Sequence, residues 1–479
     1  MTGGDLVAGV DCSTQATKVV VVDVGSGEVV ATGRAGHEVT GENGARETDP
    51  EQWWGALRTA LAETGRGHDI RAISVAGQQH GLVTLGSDGR PIRPALLWND
   101  TRSAPDAAAL IERLGAVTWA ERTGSVPPAS FTVTKWAWLR RNEPATVDAT
   151  RAVRLPHDFL TERLTGNAVT DRGDASGTGW WSPAGGGYDP SILGLDRVGL
   201  DAASLPTVLA PFAAAGTVRP AVADELGLSP EVVVGPGTGD NMAAALGLDL
   251  APGQPAVSLG TSGTVFTVAP RPTADPSGVV TGFADATGRY LPLACTLNCT
   301  LAVDQVARWF GIGRDDVRPS GEVVVLPYFD GERTPNLPNA SGTVTGLRMS
   351  TDPRQVLLAA YEGAVASLIE AIDTIAEQTG CGGVDGAAPL VLVGGGAAGS
   401  TWREVVGRLS GRPVLVPDAD ELTAIGAAVQ ATVVWTGEPP AEVAKRWQTA
   451  AGTLLDPVPR DDACLARIRA TRDREGTAP

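Results

Sequence analysis

The chain has few cysteines, few histidines and no long apolar run, and each shortage excludes a class of protein. Its 479 residues include 5 cysteines, too few and too scattered for a disulfide-stabilised secreted domain. The 4 histidines lie far apart in the sequence, which argues against a structural zinc site. No apolar run approaches the roughly 18 residues that suggest a membrane span, and the N-terminus lacks the pattern of a signal peptide. We therefore expect a reduced, cytoplasmic protein that does not bind a membrane.

Basic residues are also in short supply. Lysine and arginine number 38 against 55 aspartates and glutamates, which gives a net charge of −17. That balance argues against nucleic acid as a partner, because a polyanion needs a basic surface. A small anionic ligand would need local basic groups or a metal ion. The length exceeds what one hydrophobic core usually supports, so two domains are expected.

Residues 6–23 form two runs rich in valine around the short polar segment Asp11–Gln15. This pattern predicts a β-hairpin whose turn gathers backbone N–H groups, two hydroxyls and one carboxylate. Such a turn attracts phosphate, and the carboxylate beside it suits a magnesium ion. The alternative is an ordinary hairpin with a polar turn.

Residues 256–268 repeat that arrangement as strand, turn and strand, with the turn formed by Gly260–Gly263. Two similar turns about half a chain apart suggest two similar domains that face one phosphate chain. The shortness of the repeat leaves a chance resemblance between hairpins as the alternative.

Two polar clusters follow predicted buried strands. Gln78–Gly81 comes after the strand at 72–77, and a glycine-rich turn after the strand at 232–234 ends at Asp240. Because ligands in open α/β sheets bind at the carboxyl ends of strands, both clusters are candidate substrate contacts. Asp240 has a second interpretation as the cap of the helix that follows it.

A third glycine-rich segment, Gly394–Gly399, follows the strand at 389–393 and fits the pattern G-x-G-x-x-G, with Asp418 about 20 residues further on. A dinucleotide site is one interpretation, but too few residues remain for a complete Rossmann domain. We interpret the segment as a place where backbone approaches a nucleotide. A P-loop is absent, since none of the lysines follows a glycine.

These segments supply the parts that phosphoryl transfer needs. The phosphate cradle would consist of Ser13, Thr14 and the turn at 260–263, the carboxylate on the metal side would be Asp11, and the base would be Asp240.

The ordered set of motifs resembles the FGGY family of carbohydrate kinases, in the actin-like ATPase superfamily, and within it the kinases that act on D-xylulose. The motifs that carry the resemblance span residues 6 to 430 and are Asp11–Gln15, Ala76–Gly81, Leu97–Arg102, Ser130–Lys135 with Trp138, Gly239–Asn241, Ser258–Gly263, Leu326–Tyr328, Gly331–Pro335 and Gly394–Ala397.

The resemblance implies a role for each candidate residue. Asp11 would act on the Mg²⁺ and phosphate side, and Asp240 would be the general base. The sugar would be bound by Gln79, His80, Asp240 and Asn241. The nucleotide would be bound by Ser13, Thr14, Lys18, Gly260, Thr261, Gly395, Gly396, Ala397 and Ser400. This chain departs from many family members in having Ser13 in place of glycine and Gln79 in place of methionine.

The expected fold is α/β, with two actin-like (ribonuclease H-like) ATPase domains and a central cleft. The first, sugar-binding domain would comprise residues 1–245 and the second, nucleotide-binding domain residues 246–440, each with a mixed five-stranded sheet. Residues 441–479 would be an extension that matches no motif. The expected reaction transfers phosphate from ATP, with Mg²⁺, to D-xylulose, giving D-xylulose 5-phosphate.

Three alternatives stay open at this point. One is another FGGY kinase for L-ribulose, gluconate or a polyol, and a second is a non-catalytic actin-like nucleotide switch. The third is an NAD-dependent enzyme built on the late glycine run. The expected partners are a sugar and ATP, without nucleic acid or membrane, and a homodimer is the assembly to test.

Overall fold

The computed structural model describes residues 4–381 and 388–475. Residues 1–3 of the predicted first domain and residues 476–479 of the predicted extension lie outside these ranges. The strands of the first half are β1 (Leu6–Cys12), β2 (Ala16–Asp23), β3 (Val29–Gly36), β4 (Glu47–Thr48), β5 (Ile70–Gly77), β6 (Val83–Leu85), β7 (Ala95–Leu96), β8 (Ala152–Arg154), β9 (Val169–Thr170), β10 (Trp181–Ser182), β11 (Gly187–Tyr188), β12 (Thr207–Val208), β13 (Gly216–Thr217), β14 (Val233–Val234) and β15 (Thr238–Gly239). Its helices are α1 (Pro50–Thr64), α2 (Ala104–Leu114), α3 (Ala116–Thr123), α4 (Thr132–Asn142), α5 (Pro144–Ala149), α6 (Pro156–Thr165), α7 (Arg172–Ser176), α8 (Pro190–Leu193), α9 (Pro220–Leu226) and α10 (Asp240–Gly247).

The second half continues the numbering. Its strands are β16 (Ala256–Leu259), β17 (Gly263–Phe266), β18 (Thr281–Ala284), β19 (Tyr290–Thr296), β20 (Val324–Leu326), β21 (Thr343–Thr345), β22 (Leu390–Val393), β23 (Val414–Pro417) and β24 (Gly452–Leu455). Its helices are α11 (Thr300–Phe310), α12 (Pro353–Thr379), α13 (Ser400–Ser410), α14 (Leu422–Thr436), α15 (Pro440–Trp447) and α16 (Asp462–Glu475).

Two sheets with the same central pattern organise the chain. In the first, β1 pairs antiparallel with β2 and parallel with β5. In the second, β16 pairs antiparallel with β17 and parallel with β22. Both predicted hairpins are therefore confirmed, and the repeat seen in the sequence corresponds to the same position in two sheets. All seven residues of β1 are buried, as β-branched and small apolar side chains allow.

The prediction of five strands in each sheet is wrong, because each sheet has 7 strands among the described residues. The first has the order β13-β14-β5-β1-β2-β3 with β15 also paired to β5, and the second has the order β18-β19-β17-β16-β22-β23-β24. The strands β13 and β15 have two residues each, too short to show an alternating pattern, and β24 lies in the extension.

Helix α14 follows β23 of the second sheet in the chain but packs against the first sheet. A Cβ added to Gly9 of β1 would lie 1.9 Å from the carbonyl oxygen of Ala424 in this helix. A Cβ added to Gly426 would lie 1.8 Å from the carbonyl oxygen of Ala243 in α10. Two glycines thus allow α14 to approach both β1 and α10 closely, at the junction of the two halves.

The extension contacts both halves as well. The Trp447 indole N–H donates to the Val24 carbonyl at 3.0 Å, beside the first sheet. Five residues later β24 begins and pairs antiparallel with β23 of the second sheet. Cys464, Leu465 and Ile468 of α16 are buried in the core of the second half. The extension is therefore part of the folded core.

Helix α12 is the central helix of the second half. It begins at Pro353 with Asp352 as its cap, and an aspartate followed by proline is the sequence pattern that predicts such a helix start. Among the described residues it alone is long and apolar enough to cross a membrane, and 83% of its most apolar window is buried inside the protein. That burial is typical of a core helix in a globular domain. Trp180 and Trp181 are also buried, as large aromatic side chains mostly are, with 1% and 2% of their surface exposed.

Candidate functional site

A cavity of about 750 Å³ opens where the two halves meet. The predicted site residues that line it are Asp11, Lys18, Asp240, Asn241, Gly395 and Ala397. The lining also includes residues that were not predicted, namely Ser258, Arg403, Asp420 and Glu421. The predicted residues Ser13, Thr14, Gln79, His80, Gly260, Thr261, Gly396 and Ser400 are not among those that line this cavity.

Asp11 lies on β1 at the floor of the cavity, with 6% of its surface exposed. Its Oδ2 accepts a 2.6 Å hydrogen bond from the Ser13 hydroxyl. Its Oδ1 is buried and has no hydrogen-bond partner among the described residues. Burial raises the pKa of Asp11, and the hydrogen bond from Ser13 opposes that rise. A buried carboxylate oxygen without a partner is costly unless a ligand completes it.

A magnesium ion fits this donor set. No group of three His, Cys, Asp or Glu side chains that could hold a metal occurs within residues 4–381 and 388–475. Magnesium does not need one, because it is usually held by one or two carboxylates together with substrate phosphates and water. The unpaired Oδ1 of Asp11 suits that role.

Asp240 is the first residue of α10, and Gly239 is the residue that caps the helix. The interpretation of Asp240 as the helix cap is therefore wrong. Its Oδ1 instead accepts from the backbone N–H and the side-chain amide of Asn241, at 2.8 and 2.9 Å. Burial, the charge of Asp11 and that of Asp174 raise the pKa of Asp240 to about 7. A carboxylate with such a pKa can accept a proton near neutral pH.

Asn241 connects Asp240 to the predicted sugar cluster. Its amide N–H donates to Gln79 Oε1 at 3.0 Å. Gln79 is 5% exposed, and its Nε2 is buried without a hydrogen-bond partner among the described residues. The structure therefore brings Gln79, Asp240 and Asn241 together and leaves one amide donor free for a ligand.

His80 is held as a neutral ring. Its Nδ1 lies 2.7 Å from the Gly177 carbonyl, so the ring N–H is there and Nε2 is a hydrogen-bond acceptor. Burial, followed by the charge of Lys135, lowers the pKa of His80 to about 3. The ring stacks on Phe131 at 4.8 Å and contacts Phe283 at 5.6 Å between ring centroids. Since Phe283 belongs to β18, the second sheet forms one wall of the His80 environment.

Lys135, a buried cation behind His80, was not predicted as a site residue. Its ammonium donates to the His80 carbonyl at 3.1 Å and to the Ser130 carbonyl. Burial lowers the pKa of Lys135 to about 7. The backbone of His80 has a left-handed φ of 66°, a conformation that costs energy in a residue other than glycine. The Lys135 hydrogen bond supports that conformation.

The two hairpin turns have different surroundings. The Thr14 hydroxyl accepts a 3.1 Å hydrogen bond from the Trp98 indole. The Gly260 carbonyl accepts from both the backbone N–H and the hydroxyl of Thr300, at 3.1 and 2.7 Å. Thr261 at the tip of the second turn is exposed. Both turns are thus fixed by neighbours while their tips remain open.

The late glycine run serves two purposes. A Cβ added to Gly396 would lie 2.7 Å from the Leu259 Cβ, so this glycine allows the run to pack against the second hairpin. A Cβ added to Gly395 would meet nothing within 4 Å, and this residue faces the cavity. Ser400 is exposed, and its hydroxyl lies 3.4 Å from Asp315 Oδ1.

Lys18 forms an ion pair that sequence reasoning missed. Its ammonium lies 2.5 Å from Glu421 Oε2, in the loop that precedes α14. The partners are 403 residues apart, so no local pattern reveals them.

A buried cluster lies behind the base. His157 Nδ1 is 2.8 Å from Asp174 Oδ2, and its Nε2 is 3.2 Å from Asp158 Oδ1. Burial opposes a charge on the ring, but the three neighbouring aspartates raise the pKa of His157 to about 9. Asp171 in the same cluster accepts from the Thr238 hydroxyl at 2.7 Å, two residues before Asp240.

Two sheets of one pattern, joined at a cleft that holds carboxylates and glycine-rich turns, define a two-domain α/β protein of the actin-like ATPase kind. The chain belongs to the FGGY family of carbohydrate kinases. Residues 6–247 match the N-terminal domain of that family, and residues 256–435 match its C-terminal domain.

Similar proteins extend over nearly the whole chain. It is 59% identical over 467 residues to a xylulose kinase of Streptomyces rubiginosus, covering 97% of this chain and 95% of the relative. It is 58% identical over 469 residues to a xylulose kinase of Streptomyces coelicolor, with coverage of 97% and 95%. The crystal structure of xylulose kinase from Bifidobacterium adolescentis superposes with a TM-score of 0.85 at 37% identity, covering 98% of this chain and 99% of that one.

Proposed function

We propose that this protein transfers the γ-phosphoryl group of ATP to the terminal hydroxyl of D-xylulose, giving D-xylulose 5-phosphate and ADP. The observation that carries the proposal is the 59% identity to a xylulose kinase over 97% of this chain. The arrangement of Gln79, Asp240 and Asn241 beside the cavity supports it. A nucleotide switch would have no need of such a cluster.

We assign the proton transfer to Asp240. Its carboxylate accepts the proton of the terminal hydroxyl as that oxygen forms a bond to the γ-phosphorus. The bond from the γ-phosphorus to the bridging oxygen breaks, and its electron pair leaves with ADP. The raised pKa of Asp240 matches this task, because a base is most effective when its pKa lies near the working pH.

Asp11 would hold the Mg²⁺ through its unpartnered Oδ1, and the ion when bound supplies charge neutralisation on the phosphates. The hairpin turns with Ser13, Thr14, Gly260 and Thr261 would contact the phosphates. Lys18 would stabilise the same region through its pair with Glu421.

The adenosine would lie along the late glycine run, where Gly395 and Ala397 face the cavity. Gly396 would act by letting the run pack on the second hairpin, and Ser400 would lie at its exposed end.

On the sugar side, His80 would accept a hydroxyl hydrogen bond at Nε2, and Gln79 would donate from Nε2. A neutral imidazole suits an uncharged ketose, because no charge has to be desolvated when the sugar binds.

We also propose a cytoplasmic location, which is where ATP is abundant. All 5 cysteines are free thiols, in agreement with a reducing compartment. A homodimer stays a prediction, and light scattering of the purified protein would test it.

The test is a substrate panel. ADP release is measured with D-xylulose, L-ribulose, gluconate and glycerol at equal concentrations, with and without Mg²⁺. We expect kcat/KM to be highest for D-xylulose. A higher value for another member would assign the protein to that substrate, and ATP turnover indifferent to all four would indicate a nucleotide switch.

A further inference from the structure

A phosphoryl group in transit carries negative charge into a site already lined by carboxylates. Asp11 and Asp240 both face the cavity, and the whole chain has a net charge of −17. Such a site needs cations besides the metal to stabilise the charge that spreads over the phosphoryl oxygens. The structure shows which cations are already engaged.

The two cations that line the cavity, Lys18 and Arg403, and the cation behind His80, Lys135, have protein partners. Lys18 is paired with Glu421. Lys135 donates to two backbone carbonyls behind His80. The Arg403 guanidinium donates to the Ala397 carbonyl at 2.5 Å. None of the three presents an unengaged charge to a phosphoryl group between the two hairpins.

Arg333 differs from them. Its guanidinium makes no hydrogen bond or ion pair with any of the described residues, and the side chain is half-buried. The neighbouring Glu332 is fully engaged elsewhere: its carboxylate accepts from the backbone N–H groups of Leu297 and Asn298 at 2.6 and 3.2 Å. It also accepts from the Asn298 amide at 3.0 Å. Burying part of a guanidinium without a partner is costly, which indicates a partner supplied by a ligand.

Those hydrogen bonds fix where Arg333 lies. Leu297 and Asn298 come directly after β19, whose last residue, Thr296, pairs with Gly263 at the end of the second hairpin turn. The Asn298 amide also donates to the Gly331 carbonyl at 2.8 Å. The segment with Arg333 is therefore tied to the end of the sheet where the second hairpin turn lies.

The charge of Arg333 acts on groups of both halves. Burial lowers the pKa of His80, and the Arg333 charge adds to that decrease. Burial raises the pKa of the Cys295 thiol; Arg333 opposes this rise, while Asp240 adds to it. Arg333 thus lies within electrostatic reach of His80 on the sugar side and of a thiol that also experiences Asp240.

We propose that Arg333 binds the phosphoryl group during transfer and the phosphate of the sugar product afterwards, working across the cleft from Asp240. The proposal rests on the proposed kinase function and names a further catalytic residue for it. A planar guanidinium suits this position, because it can donate two hydrogen bonds to adjacent phosphoryl oxygens.

The experiment compares the wild type with Arg333→Gln and Arg333→Lys. A matched control is Arg348→Gln, since Arg348 is exposed and its guanidinium also lacks a partner among the described residues. For Arg333→Gln we expect kcat to fall by about 100-fold or more, as for the loss of one preorganised donor to a transition-state oxyanion. The KM for the sugar should change by less than about three-fold, because the group acts on the transition state. Arg333→Lys should retain an intermediate kcat, and Arg348→Gln should match the wild type.

Calorimetry provides the second readout. Arg333→Gln should bind the sugar phosphate product at least about ten-fold more weakly, which corresponds to one charge-assisted contact, while the neutral sugar binds as before. Equal losses for sugar and sugar phosphate would overturn the proposal in favour of a role in sugar binding. A wild-type kcat in Arg333→Gln would overturn it outright.

Two controls keep the outcomes separate. If Arg333→Gln unfolds at a lower temperature than the wild type, Arg333→Lys carries the comparison. If the wild type prefers another sugar, the proposed substrate is wrong, and Arg333 is tested with the preferred sugar.

A third measurement, binding of inorganic phosphate to the ADP-loaded enzyme, needs no sugar at all. Equal affinity in wild type and Arg333→Gln would contradict the proposal.

Discussion

The two hairpins occupy the same place in their sheets but carry different side chains. In the first, Asp11 lies opposite Lys18 in the register of the two strands, one position before the last residue pair of the hairpin. At the corresponding position of the second hairpin, Ser258 lies opposite Thr264. The charged groups of the first hairpin are thus replaced by hydroxyls in the second. Of the two turns that we propose to contact phosphate, only the first has a carboxylate, Asp11, that could hold a metal ion.

The largest expected effect concerns Asp240, which lines the same cavity as residues of both hairpins. Asp240→Ala should lower kcat by about 10³-fold, within the range attributed to a general base. The measurement is steady-state kinetics with D-xylulose varied at saturating ATP, together with a thermal melt that checks folding. Asp224→Ala, an acid-to-alanine change at an exposed position of α9, is the matched control. Substantial activity in Asp240→Ala would show that the base is another group.

The second effect tests the difference between the hairpins directly. Asp11→Asn keeps the shape but removes the charge, and we expect about a 10- to 100-fold loss together with a higher Mg²⁺ requirement. Ser258→Ala should cost about five-fold or less, because one neutral hydrogen bond is worth about 1 kcal/mol. Mg²⁺ titrations of kcat/KM for both variants measure this. Equal losses would mean that the hairpins are functionally equivalent.

The third effect is on pH dependence. Asp240 must be ionised to act as a base, so the rate should fall as pH decreases through about 7. Asp174 favours the protonated form of Asp240, since its negative charge adds to the rise in pKa. Burial also raises the pKa of Asp174 to about 7, so only its ionised fraction acts on Asp240 in this range. Asp174→Asn should therefore move the acidic limb of the kcat/KM profile to lower pH, by less than about one unit. Asp148→Asn, at an exposed position of α5 whose charge does not contribute to the raised pKa of Asp240, should leave the limb in place. An unmoved or raised limb in Asp174→Asn would contradict this assignment.

The smallest expected effect concerns packing under the first hairpin. Gly9→Ala would place a methyl 1.9 Å from the Ala424 carbonyl, and such overpacking typically costs about 1–3 kcal/mol of unfolding free energy. The control is Gly55→Ala, where nothing lies within 4 Å and the helix should gain about 0.5–1 kcal/mol. Chemical denaturation measures both. A neutral Gly9→Ala would show that α14 moves aside without cost.

The local parts of the fold were predictable from the sequence. The valine-rich runs around Asp11–Gln15, the repeat at 256–268 and the Asp352–Pro353 helix start each encode their structure within a few residues. Asp240, Asn241 and Gln79 were predicted separately, and the structure brings them within hydrogen-bond distance. Each of these motifs lies at a strand end or in a turn. A few neighbouring residues determine the backbone there, so a short sequence pattern is enough to predict it.

The long-range parts were not predictable. The pair of Lys18 with Glu421 and the packing of α14 on β1 join segments about 400 residues apart. His157 and Asp174 are 17 residues apart, and only the fold shows that they share one buried pocket. Three aspartates, Asp158, Asp171 and Asp174, within 17 residues of His157 in the sequence were the available signal for that cluster.

The extension limits how far the two halves can separate. Trp447 is held at the Val24 carbonyl of the first half, and Gly452 begins the strand that pairs in the second. The connecting chain has five Cα–Cα steps, which extend to about 18 Å at most. As long as both ends stay attached, this tether sets an upper bound on the opening of that edge of the cleft. Shortening or lengthening the tether would therefore be a direct way to change the range of domain opening without altering any residue that lines the cavity.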